Sequence, residues 1–74
     1  GISVNMSDSS GRTPLHVACS NRNMVTAFTL LHMGAPVNVV DNLGNTPLTL
    51  AAISGSANIV LMMLEAGADP RLAN

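Results

Sequence analysis

The chain has 74 residues, of which 47% are hydrophobic and 9% are charged, and its formal net charge is −1. A chain of this length forms at most one small domain. Its three basic residues are too few for nucleic-acid binding by phosphate neutralisation or for a polybasic membrane contact, and the single aromatic residue offers no surface for stacking bases. The only cysteine, Cys19, cannot form an internal disulfide, which favours a reducing compartment, so we expect a cytoplasmic or nuclear protein.

One stretch of the chain, residues 41–48, repeats an earlier one, residues 8–15. Asp41 lies 33 residues after Asp8, and 12 of the 41 residue pairs at this spacing are identical. A fixed period between about 20 and 50 residues indicates a stacked array of small structural units. The long uncharged stretch that follows Asp41 is cut by polar and helix-breaking residues, so we do not expect it to cross a membrane.

In the first unit, Thr13 and Pro14 occupy the N-cap and first position of a helix that should extend to about Asn21. Asn23 should cap a second helix, over about 24–33, which Gly34 should end in a left-handed conformation. We expect the second helix to bury the following residues: Val25, Phe28, Leu30 and Leu31.

In the second unit, Thr46 and Ser56 predict helices over about 47–54 and 57–66, followed by Gly67. The predicted buried residues of its second helix are Ile59, Val60, Met63 and Leu64. From residue 34 to residue 44 the chain has no helical period, so we expect two short extended arms around a turn at 41–44. The predicted fold is therefore mainly α, with helix pairs joined by β-hairpin-like fingers.

Two motifs carry a family resemblance. Residues 13–19 and 46–52 read TPLHVAC and TPLTLAA, and residues 30–38 and 63–69 read LLHMGAPVN and MLEAGAD. Together with the 33-residue period, they resemble the ankyrin repeat. This resemblance implies a solenoid in which residues 8–40 and 41–73 are two repeats, the second running into the start of a further finger. Residues 1–7 would be the tail of a preceding repeat, and we expect adjacent repeats in the parent protein.

The sequence gives no reason to expect an enzyme. His16 and Cys19 are three residues apart on one helix face, but no third group is present to orient a catalytic pair. The resemblance implies instead that His16 joins Thr13 to the backbone of the neighbouring repeat, and Thr49 stands at the equivalent position. We expect no cofactor, no metal and no small-molecule substrate. Arg22 stands where the family usually has glycine, and it either tolerates a left-handed turn or makes a basic contact.

The resemblance implies protein–protein interaction through finger tips and the concave surface of the first helices. The candidate partner-binding residues are Arg12, Val17, Asn21, Asn42, Leu43, Asn45, Leu50, Ile53 and Ser54. Three of them, Leu43, Leu50 and Ile53, are apolar at positions that are usually polar or variable, which favours a contact site. The partner is either another protein or a segment of the parent chain. In the alternative, the chain is an architectural segment of a larger enzyme, channel or ligase adaptor.

Asn38 lies in the predicted finger and resembles the asparagines that an asparaginyl hydroxylase modifies in ankyrin repeats. A simpler interpretation is that its side chain satisfies backbone groups in the finger. The two interpretations are compatible.

Overall fold

The computed structural model describes residues 7–72, so residues 1–6 of the predicted tail lie outside it. Within this range the chain forms two helix pairs. Their bounds are Pro14–Ser20 (α1), Met24–His32 (α2), Pro47–Ile53 (α3) and Ala57–Glu65 (α4), followed by a 3-10 helix, Pro70–Leu72. The predicted succession of two helix–turn–helix units is confirmed.

Side chains begin three of the four helices as the sequence predicts. The Thr13 hydroxyl accepts a hydrogen bond from the N–H of His16 at 3.4 Å, and Thr46 caps α3 in the same way. The Asn23 side chain accepts from the N–H of Thr26 at 3.2 Å and so caps α2. Ser56 stands at the N-cap of α4, but its side chain makes no capping hydrogen bond. Each helix ends one residue earlier than predicted. The residue predicted to be its last is its C-cap instead.

Left-handed backbone occurs where the sequence predicts it. Gly34 and Gly67 follow the C-caps of α2 and α4 with φ of +84° and +97°. Arg22 joins α1 to α2 with φ of +58°, and its equivalent Gly55 has φ of +77°. A non-glycine residue in this conformation costs roughly 1–2 kcal/mol. Arg22 therefore tolerates a turn whose conformation favours glycine, and its side chain is exposed.

The two helix pairs stack, with α1 against α3 and α2 against α4. Their contact forms one hydrophobic core that runs through both units. The residues of this core are Leu15, Ala18, Cys19, Ala27, Leu30, Ala35, Leu48, Leu50, Ala51, Ile59, Met63 and Ala68. Because this core is shared, the stability of each unit depends in part on its contact with the other.

The predicted buried faces of α2 and α4, the outer helices of the two units, are partly wrong. Val25 is 76% exposed, Phe28 is half exposed, and Leu64 also lies at the surface. In α2, the side that faces the core carries the predicted Leu30 together with Ala27, which was not predicted. An apolar sequence with few charges gives several helical faces of similar hydrophobicity, and contacts with the neighbouring helices decide between them.

No β-strand forms within residues 7–72, so the structure does not show the predicted fingers as β-hairpins. The backbone N–H groups of the second turn find other acceptors. Those of Leu43 and Asn45 donate to the Asp41 carboxylate, and that of Asn42 donates to the carbonyl of Ser10 in the preceding turn. Across the turn itself, the N–H of Asp41 donates to the carbonyl of Asn45 at 2.9 Å, so a backbone hydrogen bond closes the turn between two segments that are not strands.

Candidate functional site

The turn that precedes α3 is built around a buried carboxylate. Asp41 Oδ1 accepts hydrogen bonds from the N–H groups of Leu43 and Asn45, each at 2.9 Å. Its Oδ2 accepts from Arg12 Nε at 3.3 Å. In the first unit Asp8 closes the equivalent turn by accepting from the N–H groups of Ser10 and Arg12 at 2.9 and 3.0 Å. The same Asp-centred turn thus fixes the backbone conformation at both tips.

The environment of Asp41 favours its charged form. Burial raises the pKa of this carboxyl, but hydrogen bonds from the backbone N–H groups of Asn45 and Leu43 and from the Arg12 guanidinium lower it by more. The pKa of Asp41 therefore lies below its ordinary value.

Acid should destabilise the protein through Asp41. Because the folded pKa lies below the unfolded value of about 3.9, the stabilisation is fully present above that value and is lost as the pH falls through the folded pKa. We expect the free energy of unfolding, measured by urea denaturation between pH 7 and pH 3, to fall below about pH 4. Asp41→Asn should make this fall shallower, and an unchanged pH dependence in that variant would contradict the assignment.

The two turns are bound to each other. The backbone N–H of Asn42 donates to the carbonyl of Ser10, and its side-chain Nδ2 donates to the carbonyl of Ser9, both at 2.9 Å. A Cβ atom on Gly11, which has φ of +75°, would lie 2.6 Å from Asn42 Oδ1. Glycine is therefore required at position 11 both by the backbone conformation and by the close approach of the second turn.

The buried side chain of His16 also connects the two units. Its ring Nδ1 lies 3.1 Å from the backbone N and 2.9 Å from the hydroxyl of Thr13, and its Nε2 lies 2.8 Å from the carbonyl oxygen of Asn45. In the arrangement that satisfies these contacts, Nδ1 accepts from the Thr13 N–H and Nε2–H donates to Asn45. The side chain is completely buried. His16 thus caps α1 and holds the second turn at once.

Neither His16 nor Cys19 is placed for catalysis. Both ring nitrogens of His16 are engaged in these structural hydrogen bonds. Cys19 is buried, and burial raises the pKa of its thiol to about 11, so the thiol is protonated at neutral pH. Among residues 7–72, no group of three His, Cys, Asp or Glu side chains could hold a metal ion. No helix in the same range is long and apolar enough to span a bilayer.

The family comparison agrees with this geometry. The model for ankyrin repeats, which comprises three copies, matches residues 1–74. The chain belongs to the ankyrin repeat family. No curated protein matches it in a sequence search. Ankyrin repeat domains are generally non-catalytic protein-interaction modules, and their helix–turn–helix solenoid is the arrangement seen in the two units.

Three of the predicted partner-binding residues are exposed apolar side chains on the ankyrin fold. Leu43, in the second turn, is 68% exposed, and Ile53, the last residue of α3, is 72% exposed. Val17 of α1 is 41% exposed. Exposing these apolar side chains to water costs free energy, and a partner that covers them would recover it.

Leu50 corrects the prediction. It lies 33 residues after Val17, yet it is only 5% exposed, because α3 packs against α1. The two residues are equivalent in sequence, but only the second has a preceding helix to cover it within the described residues. Leu50 is therefore part of the core and cannot contribute to an exposed binding surface.

The polar candidates are mostly held by the structure itself. Arg12 pairs with Asp41, and Asn42 spans the two turns. Asn45 presents its carbonyl to His16, and the Ser54 hydroxyl lies 3.2 Å from the carbonyl of Cys19 in the first unit. The backbone N–H of Asn21 closes the end of α1, and its side chain is exposed. These groups give the surface its rigidity.

Two features of the site were not predicted from the sequence. A shallow pocket of about 270 Å³ lies between the two turns, with a mixed polar and apolar lining of Ser9, Ser10, Arg12, Asp41, Asn42 and Leu43. A second, apolar groove lies between α3 and α4. The 33-residue spacing of Asp8 and Asp41 implies equivalent turns, but it does not give the gap between them.

Asn38 connects the first unit to the second. Its Nδ2 donates to the carbonyl of Gly67 at 3.3 Å, and its Oδ1 accepts from the N–H of Asp69 at 2.9 Å. The prediction that Asn38 satisfies backbone groups is confirmed, although these groups belong to the following unit. Asn38 is exposed, and its hydroxylation stays a prediction.

Proposed function

We propose that this ankyrin domain binds a partner protein through a recognition surface formed by the two turns and the exposed sides of α1 and α3. The recognition surface comprises Arg12, Val17, Asn21, Asn42, Leu43, Asn45, Ile53 and Ser54. The observation that carries the proposal is the exposure of Leu43 and Ile53, two large aliphatic side chains within one unit. Leu43 also lines the pocket between the turns.

The pinned backbone of the turns supports this proposal. Binding costs less free energy when the contact residues are already ordered, because little conformational freedom is then lost. The Asp41 carboxylate and the bonds from Asn42 to the preceding turn hold Leu43 on a fixed backbone. Exposed aliphatic groups on a rigid frame, with polar groups around them, resemble the centre and rim of a protein interface.

The charges favour a protein over a nucleic acid as the partner. Of the three basic residues, Arg12 is paired with Asp41 and Arg71 is paired with Asp69. Only Arg22 has no ion pair within residues 7–72. Binding to a phosphate backbone requires several basic groups that can each release a counterion, and this chain has too few.

Charged substitutions in the recognition surface should weaken partner binding while leaving the fold intact. We expect the double variant, Leu43→Lys with Ile53→Lys, to raise the dissociation constant at least about tenfold, because two contacts that are buried in the complex are lost. Lysine is chosen because a positive charge at the last residue of α3 suits the helix dipole. The measurement is quantitative recovery of partner from a lysate of the source cells, followed by titration of the purified partner.

The matched control is Leu61→Lys on α4. Leu61 is 60% exposed, so the chemical change is the same, but it lies outside the recognition surface. Circular dichroism should show equal helix content in all three proteins. Loss of binding in Leu61→Lys but not in the double variant would place the interface on the outer helices instead. If the partner is a segment of the parent chain, the titrated fragment will be that segment.

A further inference from the structure

The shallow pocket between the two turns presents one accessible charge. Its volume is about 270 Å³, and the residues that line it are Ser9, Ser10, Arg12, Asp41, Asn42 and Leu43. Two of them are charged, and they differ in exposure. The Arg12 side chain is 31% exposed, whereas that of Asp41 is 1% exposed. The charge that a ligand meets in this pocket is therefore the Arg12 guanidinium.

The Asp41 carboxylate is occupied by internal donors. Its Oδ1 accepts from the N–H groups of Leu43 and Asn45, and its Oδ2 accepts from Arg12 Nε. A basic side chain from outside would have to displace these donors, and it would also meet the positive charge of Arg12. Asp8, the acidic residue of the first turn, does not line the pocket. The pocket therefore disfavours a cationic ligand.

Arg12 is fixed in place but only partly used. Its backbone N–H donates to Asp8 Oδ1, and its carbonyl accepts from the N–H of Asp8, both at 3.0 Å. The bond from Nε to Asp41 sets the direction of the guanidinium. Within residues 7–72 this is the one hydrogen bond that the guanidinium makes. Because a guanidinium has five N–H donors, the four on its two Nη atoms are available to a ligand.

A carboxylate matches these donors. Its two oxygens can accept two parallel hydrogen bonds from a guanidinium, and such charge-assisted bonds are stronger than neutral ones. Proteins that recognise phosphate groups through arginine use clusters of it, and this pocket has one arginine. Leu43 lines the same pocket and is 68% exposed, so it offers apolar contact beside the charged group. The ligand that fits is a carboxylate side chain with an aliphatic neighbour.

We infer that the pocket between the two turns takes an aspartate or glutamate side chain of the partner protein, which the Arg12 Nη groups bind while Leu43 contacts an aliphatic residue next to it. The inference rests on the proposed function, because Arg12 and Leu43 belong to the recognition surface. It adds the chemistry that the partner must present at this one point.

The test uses a phage-displayed library of random peptides selected on the 74-residue chain. We expect the enriched peptides to share an acidic residue beside an aliphatic one. An enriched peptide is then titrated alongside the same peptide with its carboxylate replaced by the isosteric amide. The amide should raise the dissociation constant at least about tenfold for the unaltered domain, but less than about twofold for Arg12→Gln, because the charge pair is then already lost.

The matched control is Arg22→Gln, which removes one positive charge from an exposed residue outside the recognition surface. It should keep the tenfold preference for the acid. Since Arg12→Gln also loses the bond to Asp41, a readout on the unaltered domain is added. The NMR signal of the Arg12 Nε–H should shift with the acidic peptide and stay in place with the amide.

The outcomes separate this inference from the proposed function. Equal affinities of acid and amide, in peptides that shift the Leu43 methyl signals, would overturn the inference and leave the recognition surface standing. A preference for the acid that persists in Arg12→Gln would overturn the assignment to Arg12. Failure to enrich any peptide that shifts Leu43 or Ile53 would count against the recognition surface, and the inference would fall with it.

Discussion

Replacing Ile59 with alanine should lower the free energy of unfolding by about 3 kcal/mol. Ile59 lies in α4 and is completely buried in the core shared by the two units. Alanine would remove three carbon atoms and leave a cavity, because the α4 backbone is held by its own hydrogen bonds and by the contact with α2. The loss should be a large fraction of the total stability of a domain of this size, since small domains have little stability to lose.

Urea denaturation followed by circular dichroism measures this loss. The control is Leu61→Ala, two residues along the same helix, where the side chain is 60% exposed. It should change the free energy of unfolding by less than about 0.5 kcal/mol, because an exposed side chain loses few contacts. Similar losses in the two variants would show that α4 does not face the core as described.

Replacing His16 with alanine, as a separate variant, should lower the free energy of unfolding by about 2–3 kcal/mol. The substitution removes the acceptor for the Thr13 N–H and the donor to the Asn45 carbonyl, and it leaves a cavity between the units. Both orphaned backbone groups are close to the buried core, where an unmade hydrogen bond is costly.

The matched control for His16 is His32→Ala. His32 is exposed near the end of α2, where its ring makes an edge contact with Phe28 at 4.3 Å between centroids. We expect a change of less than about 0.5 kcal/mol. The thermal unfolding midpoint of each variant, measured at one protein concentration, gives the comparison. Equal midpoints would contradict the role of His16 as the link between the units.

The helices were predictable because their signals are local. Thr13 and Thr46 each precede a proline, and the capping hydroxyl and the fixed proline φ act within one turn of helix. Gly34 and Gly67 end their helices for an equally local reason, since only glycine adopts a left-handed backbone without steric cost. The 33-residue period then gave the succession of the units.

The exposed faces were less predictable because they depend on neighbours. Val17 and Leu50 are equivalent in the repeat, but α1 covers only Leu50. Val25 and Phe28 are as hydrophobic as the residues that α2 buries, and the sequence alone does not say which side meets α4. The fingers form no β-strand within residues 7–72, and one backbone N–H of the second turn, that of Asn42, bonds to Ser10 in another unit.

The exposure of the candidate partner-binding residues was predicted in part. Exposure of Leu43 and Ile53 agrees with their prediction as surface residues, whereas Leu50 is buried. The links from Asn42 to Ser9 and from Ser54 to Cys19 join residues more than 30 positions apart. Contacts at this separation follow from the stacking of the units, and no motif within one unit encodes them.

Methyl NMR spectra of the domain with and without its purified partner test the proposed recognition surface most directly. They report on each Leu, Ile and Val side chain without altering the sequence. We expect the methyl signals of Leu43 and Ile53 to shift or broaden on binding, while those of Val25 in α2 and Leu61 in α4 stay unchanged. Shifts confined to Val25 and Leu61 would contradict it.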